Sequence, residues 1–254
     1  SRERTIGALE ELQAVLGLPA PPRRIEGYDI SNTQGVLSVA SEVVMIDGVS
    51  ARREYRHYRI RDIEGPNDFE SMKQVITRRL SHGLAEKAQR EQEGLDPLGG
   101  KFSDLPDLIL IDGGPEQVKF AQEAMRAQGL DIPMFGLAKR LDEIVLPDSD
   151  ESILLDRHSE ALHLIERLRD EAHRFAITHH RALRQKKGVG SKLEEIPGIG
   201  PRRRRAILTR FKTMEALRSA TEDEIADVDG VTRENARAVY RYLHADDENS
   251  PSLD

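Results

Sequence analysis

Asp29 and Asp112 each interrupt a strand-like run: Arg24-Arg-Ile-Glu-Gly-Tyr-Asp29-Ile-Ser and Leu108-Ile-Leu-Ile-Asp112-Gly-Gly. A carboxylate in a buried strand costs several kcal/mol unless something pairs with it. Two such acids in one domain suggest a shared cation. Carboxylate oxygens suit Mg2+ or Mn2+, ions that neutralise a phosphate and make a water nucleophilic. The chemistry implied is hydrolysis or transfer at a phosphodiester.

A third ligand is expected from a later helix. Leu162, Ile165, Arg169, Ala172, His173 and Ala176 follow i, i+3, i+4 spacing, so His173 lies on or beside a sheet-facing stripe. It could bind the metal, or orient or deprotonate the water. The plain alternative is a hydrogen-bonded core histidine. His179 and His180, near the helix end, are weaker candidates. Asp68 is a candidate fourth member, although an acid in a helix's first turn is favourable without any catalysis. Lys139, in Gly136-Leu-Ala-Lys139, could steady a phosphate, or be an exposed loop lysine. Glu26 lies three residues before Asp29, hence on the opposite strand face, and is left out. No Gly-x-Gly-x-x-Gly turn follows the first strand, so a dinucleotide fold is not indicated.

The elements that must position these residues follow from periodicity. Residues 1–18 read as a helix with Ile6, Leu9, Leu12, Val15 and Leu16 on one stripe, stopped by Pro19, Pro21 and Pro22. Residues 24–31, 36–46 and 54–60 read as strands, with Gly35 and Asp47-Gly48 at the turns. A helix starts at Pro66 and runs through Met72, Val75, Ile76 and Leu80. Residues 82–104 turn polar and read as a surface excursion, helical at first and then disordered. Residues 107–112 read as a strand covered on both faces, 115–128 as a helix and 132–137 as a strand. A hairpin over 143–146 and 153–155 and a long helix over 159–184 follow. The order β-β-β-α-β-α-β, then hairpin and helix, is that of the ribonuclease H-like fold: an α/β mixed sheet with flanking helices. In that fold the first and fourth strands are neighbours, which would bring Asp29 and Asp112 together.

The chain has 254 residues, 38% hydrophobic and 33% charged, with a net charge of −7. Cysteine is absent, which excludes disulfides and thiolate metal sites. No run approaches the roughly 20 apolar residues a membrane helix needs. No secretory signal is visible, and a cytoplasmic setting is compatible with this composition. The first residue is Ser, which suggests a piece of a longer protein. The net charge hides a dipolar layout: residues 181–210 carry a net +8, and 219–254 a net −7. The basic block points to a polyanion, the plain alternative being a solvated charged linker.

Ile196-Pro-Gly198-Ile-Gly200-Pro-Arg202 has the hydrophobic-Gly-hydrophobic-Gly turn of a helix-hairpin-helix unit. Its glycines permit the tight turn, and backbone N–H groups at the next helix start can bind a phosphate. Arg202, Arg203, Arg204 and Arg205 add charge there. Val228-Asp-Gly230-Val-Thr232 repeats the pattern imperfectly. Two copies make a clamp that reads the duplex backbone rather than the bases; a structural helical bundle is the alternative. The expected organisation is a lead-in over 1–22, the nuclease-like domain over 23–185, a Gly-rich basic linker over 186–192, a small all-α (helix-hairpin-helix)2 domain over 193–244 and a disordered acidic tail over 245–254.

With these residues placed, the chain resembles the C-terminal half of the UvrC family of excision nucleases. The matching text is Tyr28-Asp-Ile-Ser-Asn-Thr-Gln-Gly35, Glu64-Gly-Pro-Asn-Asp-Phe69, Leu108-Ile-Leu-Ile-Asp-Gly-Gly114, Gly136-Leu-Ala-Lys139, Arg169-Asp-Glu-Ala-His-Arg-Phe-Ala176 and Ile196-Pro-Gly-Ile-Gly200. The resemblance implies an Asp-Asp-His site on Asp29, Asp112 and His173, with Asp68 as a further implicated acid. It implies Mg2+ or Mn2+, a cut on the 5′ side of a lesion in double-stranded DNA, and a role beside UvrB in a UvrA-loaded repair complex. The family's 3′ nuclease and main UvrB-contact segment match nothing here. Asn32 stands where the family often has His, and residues 84–104 look longer than usual. Asp229-Gly-Val-Thr replaces the more usual Pro-Gly-Ile-Ser. The alternative function is a catalytically silent DNA-binding scaffold.

Overall fold

The computed structural model describes residues 1–31, 39–60, 68–138 and 143–245, with backbone alone at 31, 68 and 179–192. The expectations for Asn32, Gly35, Pro66, Lys139 and residues 246–254, and for the side chains of Asp68, His179 and His180, lie outside this set. The chain forms two compact units, Ser1–Ile177 and Thr178–Asp254.

The first unit is an α/β layer structure. Helix α1 (Arg2–Leu16) buries Ala8, Leu9 and Leu12 and ends at Gly17 in the left-handed conformation. Ile6, expected on that stripe, is 47% exposed. Among the described residues, eight strands form one mixed sheet: β1 (Arg24–Ser31), β2 (Val39–Ile46), β3 (Val49–Ser50), β4 (Arg56–Arg59), β5 (Leu108–Ile111), β6 (Met134–Leu137), β7 (Glu143–Val145) and β8 (Ile153–Leu154). Their order is β3-β2-β1-β5-β6-β7-β8, with β4 also on β2. β1 runs antiparallel to β2 and parallel to β5, and β6 continues the parallel set. The first and fourth expected strands are therefore neighbours, as the ribonuclease H-like order requires.

The expected third strand is β4, and a short additional strand precedes it. Asp47 and Gly48, both at positive φ, turn β2 into the short β3. Residues Arg52–Glu54 then form a 3-10 turn, and β4 returns to the other half of β2. Tyr55 leaves the ladder because its hydroxyl donates to Glu171 and its ring packs on Phe175.

Helices α2 (Asp68–Gln92) and α3 (Pro115–Ala127) cover one sheet face, where Met72, Val75, Ile76 and Leu80 meet Ile109, Ile111, Val118 and Ala121. Helices α1 and α4 (Glu160–Glu194) cover the other, where Leu162, Ile165 and Leu168 meet Ile25, Val43, Leu108 and Leu110. α4 is capped by Ser159, whose Oγ accepts from Leu162 N–H.

The polar segment after His82 is helical to Gln92 and largely exposed, as expected, but it is ordered rather than disordered beyond that point. The Glu86 carboxylate accepts N–H bonds from Phe102 and Ser103, and Arg79 donates to the carbonyls of Phe102 and Asp104, so the loop is fastened back onto α2. The expected linker over 186–192 is helical backbone within α4. Its two glycines each cost about 1 kcal/mol relative to Ala, and the flanking Gln, Lys and Arg favour helix.

The second unit contains the end of α4, then α5 (Pro201–Arg210), α6 (Met214–Ser219), α7 (Glu222–Ala226) and α8 (Arg233–His244). Leu193, Ile196, Ile199, Ile207, Phe211, Leu217, Ile225, Val228, Val231 and Val239 form its core. Both hairpin turns pivot on a glycine at positive φ, Gly198 at 85° and Gly230 at 82°.

Candidate active site

Strand alternation sets the site. On β1, Ile25, Gly27 and Asp29 point to the α4 face, whereas Glu26, Tyr28 and Ile30 point to the α2 face. On β5, Leu108 and Leu110 share the α4 face. Asp112 follows β5 in the same phase, and its N–H donates to the Tyr28 carbonyl at 2.9 Å, extending the β1–β5 ladder by one residue. The two acids therefore end adjacent strands on one face. α4 supplies the third member: His173 Nδ1 lies 3.4 Å from Asp29 Oδ2. One ligand atom each from Asp29, Asp112 and His173 falls within 4.8 Å of the others.

Exposure rises across the trio, from an 11% exposed Asp29 side chain to a 67% exposed imidazole. Asp29 and Asp112 line a cleft of about 410 Å³ with Gly113, Gln117, Leu137 and Ala138. Two carboxylates and one imidazole at this separation match what a divalent oxygen-seeking cation such as Mg2+ or Mn2+ accepts.

The opposite face of β1 holds a closed charge network. Arg24 Nε donates to Glu26 at 2.7 Å, and Arg79 donates to both Glu26 and Glu42. The Tyr58 hydroxyl donates to Glu42, and the Tyr28 hydroxyl lies 2.5 Å from Glu26 and 3.1 Å from Glu42. All six side chains are buried. Burial alone would raise Glu26, but Arg79 and Arg24 outweigh it and hold its carboxyl at about 2. Glu42 goes the other way: burial and the neighbouring Glu26 push it up to about 8. Glu26 thus lies away from the cleft and belongs to the scaffold beneath it.

Sequence reasoning missed the residues that hold the His173 turn. The ring of His57 on β4 stacks on Phe175 at 3.8 Å and 15°, and its Nδ1 lies 3.2 Å from Ser41 Oγ. Ser41 is the cross-strand partner of Asp29. Tyr55 and Arg174 both donate to Glu171. Period-two alternation puts Ser41 on the Asp29 face; nothing in the sequence foretells that His57 meets Phe175.

In the second unit, Gly200 is the N-cap of α5, with no side-chain cap bond, and Arg202 is exposed. Arg203 turns inward onto the Gly198 and Gly230 carbonyls. Arg204 pairs with Glu194. Thr232 caps α8, its Oγ accepting from Asn235 N–H while Asn235 answers the Thr232 N–H.

The UvrC RNase H endonuclease domain model matches residues 13–177, and a SAM-like helix-hairpin-helix tandem matches 187–245. The UvrABC system protein C of Clostridium perfringens strain 13 is 43% identical over 246 residues, covering 95% of this chain and 39% of that protein. This chain belongs to the UvrC family. The Lachnospira eligens UvrABC system protein C is 45% identical over 243 residues, covering 95% of this chain and 39% of its own length. That of Symbiobacterium thermophilum is 44% identical over 252 residues, covering 94% and 40%. The chain thus spans about two fifths of the length of these UvrC relatives. Its first unit carries the family's ribonuclease H-like endonuclease fold and its second the tandem helix-hairpin-helix. Among the described residues no helix is long and apolar enough to cross a membrane.

Proposed function

We propose that this chain is the 5′-incising region of a nucleotide excision repair nuclease, hydrolysing a DNA phosphodiester on the 5′ side of a lesion. The observation that carries this reading is the convergence of Asp29, Asp112 and His173 within 4.8 Å, with both acids lining a cleft. Asp29 and Asp112 would hold Mg2+ or Mn2+. When bound, such a cation neutralises phosphate charge and lowers the pKa of the attacking water. The water attacks phosphorus in line, and the 3′ oxygen leaves.

His173 is either the third ligand or the group that orients and deprotonates the water. In the tautomer that carries its proton on Nδ1, 3.4 Å from Asp29 Oδ2, Nε2 is the nitrogen that would accept the water's proton. Asp68 and Lys139 remain candidates for a supporting acid and a phosphate contact. In the second unit, the hairpins at Gly198, Gly200, Gly230 and Thr232, with Arg202, would grip the backbone of damaged double-stranded DNA. UvrB and the UvrA-loaded complex, in the cytoplasm, complete the reading.

The test restores Asp29→Ala, Asp112→Ala and His173→Ala singly to a full-length protein and scores incision on each side of a defined lesion. Each variant is expected to lose at least about 10²-fold in 5′ incision while 3′ incision persists. Survival of the 5′ cut in all three would reject the assignment.

A further inference from the structure

The two hairpins of the second unit are interlocked by the side chains at one equivalent helical position. Gly200 and Thr232 are the N-caps of α5 and α8, so Arg203 and Asn235 each occupy the third helical residue. The Arg203 guanidinium donates through Nη1 to the carbonyl of Gly198, in its own hairpin, at 2.9 Å. Through Nε it donates to the carbonyl of Gly230, in the other hairpin, also at 2.9 Å. Asn235 reaches back in the opposite sense, its Nδ2 lying 3.5 Å from the Gly198 carbonyl while its Oδ1 accepts from Thr232. The acceptors on Gly198 and Gly230 belong to the two positive-φ glycines on which the turns pivot.

We propose that Arg203 is a positioning residue that fixes the separation of the two hairpin turns, rather than one of the cations that neutralise DNA phosphates. This rests on the reading that the second unit binds DNA. Phosphates on a duplex are regularly spaced, so two phosphate-facing turns are useful together only at a set separation. A planar guanidinium supplies that: its fork holds two acceptors in fixed directions, whereas a lysine ammonium is a flexible point charge. The neighbouring arginines divide the remaining work. Consecutive helical side chains diverge by about 100°, so Arg202 is exposed at the start of α5 while Arg203 faces the second hairpin. Arg204 is occupied by Glu194. The four-arginine run is thus one brace, one internal ion pair and the exposed Arg202 and Arg205, rather than four equivalent phosphate contacts.

Salt dependence separates a brace from a phosphate contact. Each neutralised phosphate contributes about 0.9 to the slope of log Kobs against log salt. The slope for a short mixed-sequence duplex is measured on the whole 254-residue chain and on Arg202→Gln, Arg203→Gln and Arg203→Lys. All binding is read well below the melting transition of each variant, checked by circular dichroism. Arg202→Gln is expected to lower the slope by about 1. Arg203→Gln is expected to weaken binding about tenfold with the slope unchanged, since a preorganised pair of turns is lost without a phosphate contact. Arg203→Lys should bind as weakly as Arg203→Gln, because it keeps the charge and loses the fork. A slope reduced by about 1 in Arg203→Gln, or wild-type affinity in Arg203→Lys, would overturn the proposal. So would a lower melting temperature with unchanged affinity, which marks a purely structural residue. Failure of the unaltered chain to bind the duplex in a salt-dependent way would instead reject the DNA-binding reading itself.

Discussion

Replacing Arg79 with Met should destabilise the first unit by about 4 kcal/mol. Arg79 is 1% exposed and donates to Glu26 through Nε at 3.1 Å and Nη2 at 2.9 Å, to Glu42 at 3.1 Å, and to the carbonyls of Phe102 and Asp104 at 2.7 and 2.8 Å. Removing one partner of a buried ion pair costs about 3–5 kcal/mol. Each carbonyl left without its donor adds about 1–3 kcal/mol. These contributions share one guanidinium, so they do not sum. Two features limit the loss: Glu26 keeps Arg24 at 2.7 Å, and Glu42, raised to about 8, is already mostly protonated near neutral pH and so is not left as an unpaired charge. For a unit of 177 residues, about 4 kcal/mol corresponds to a melting shift of about 8–16 °C. The assay is urea and thermal unfolding of Arg79→Met near neutral pH, with partial recovery expected on adding Glu26→Gln. A cost below about 1 kcal/mol would refute the claim that this network supports β1 under Asp29.

The same network sets a pH dependence. Glu42, raised to about 8, contributes stability that is fully present below its ordinary value of 4.5 and is lost as pH rises through about 8. Glu26, held at about 2, contributes stability present above 4.5 and lost as pH falls through about 2. Unfolding free energy should therefore fall between pH 4.5 and about 8, and Glu42→Gln should flatten that fall; a profile unchanged by the substitution contradicts the assignment. Phe175→Ala removes the ring that His57 and Tyr55 hold, and should cost about 2 kcal/mol in stability, since the ring is only half-buried. It should also slow 5′ incision about tenfold at temperatures where the variant is folded, by loosening the turn that carries His173; full incision activity would rule out that clamp.

Much of the candidate site's geometry was legible because it depends on element order and helical spacing. Asp29 and Asp112 each interrupt a strand-like run, and the order of elements makes those runs neighbours. His173 followed from helical spacing on α4. What escaped is polar and long-range. Arg79 and Glu26 are 53 positions apart, and a polarity pattern reads each as solvent-facing or merely off the site. Glu86 looked like surface for the same reason, yet it fastens residues 102 and 103. The helical 186–192 segment was read as a linker because two glycines were weighted above the helix-favouring residues around them. Arg203 looked interchangeable with its neighbours because charge counting is blind to which carbonyls a guanidinium meets.

The central claim is that Asp29, Asp112 and His173 form one cation site. Calorimetric titration of Mn2+ into the 254-residue chain tests it most directly. One saturable site is expected, weakened more than about tenfold by Asp29→Ala and by Asp112→Ala in chains that keep their circular dichroism. Mn2+ binding unchanged in both variants would contradict the account.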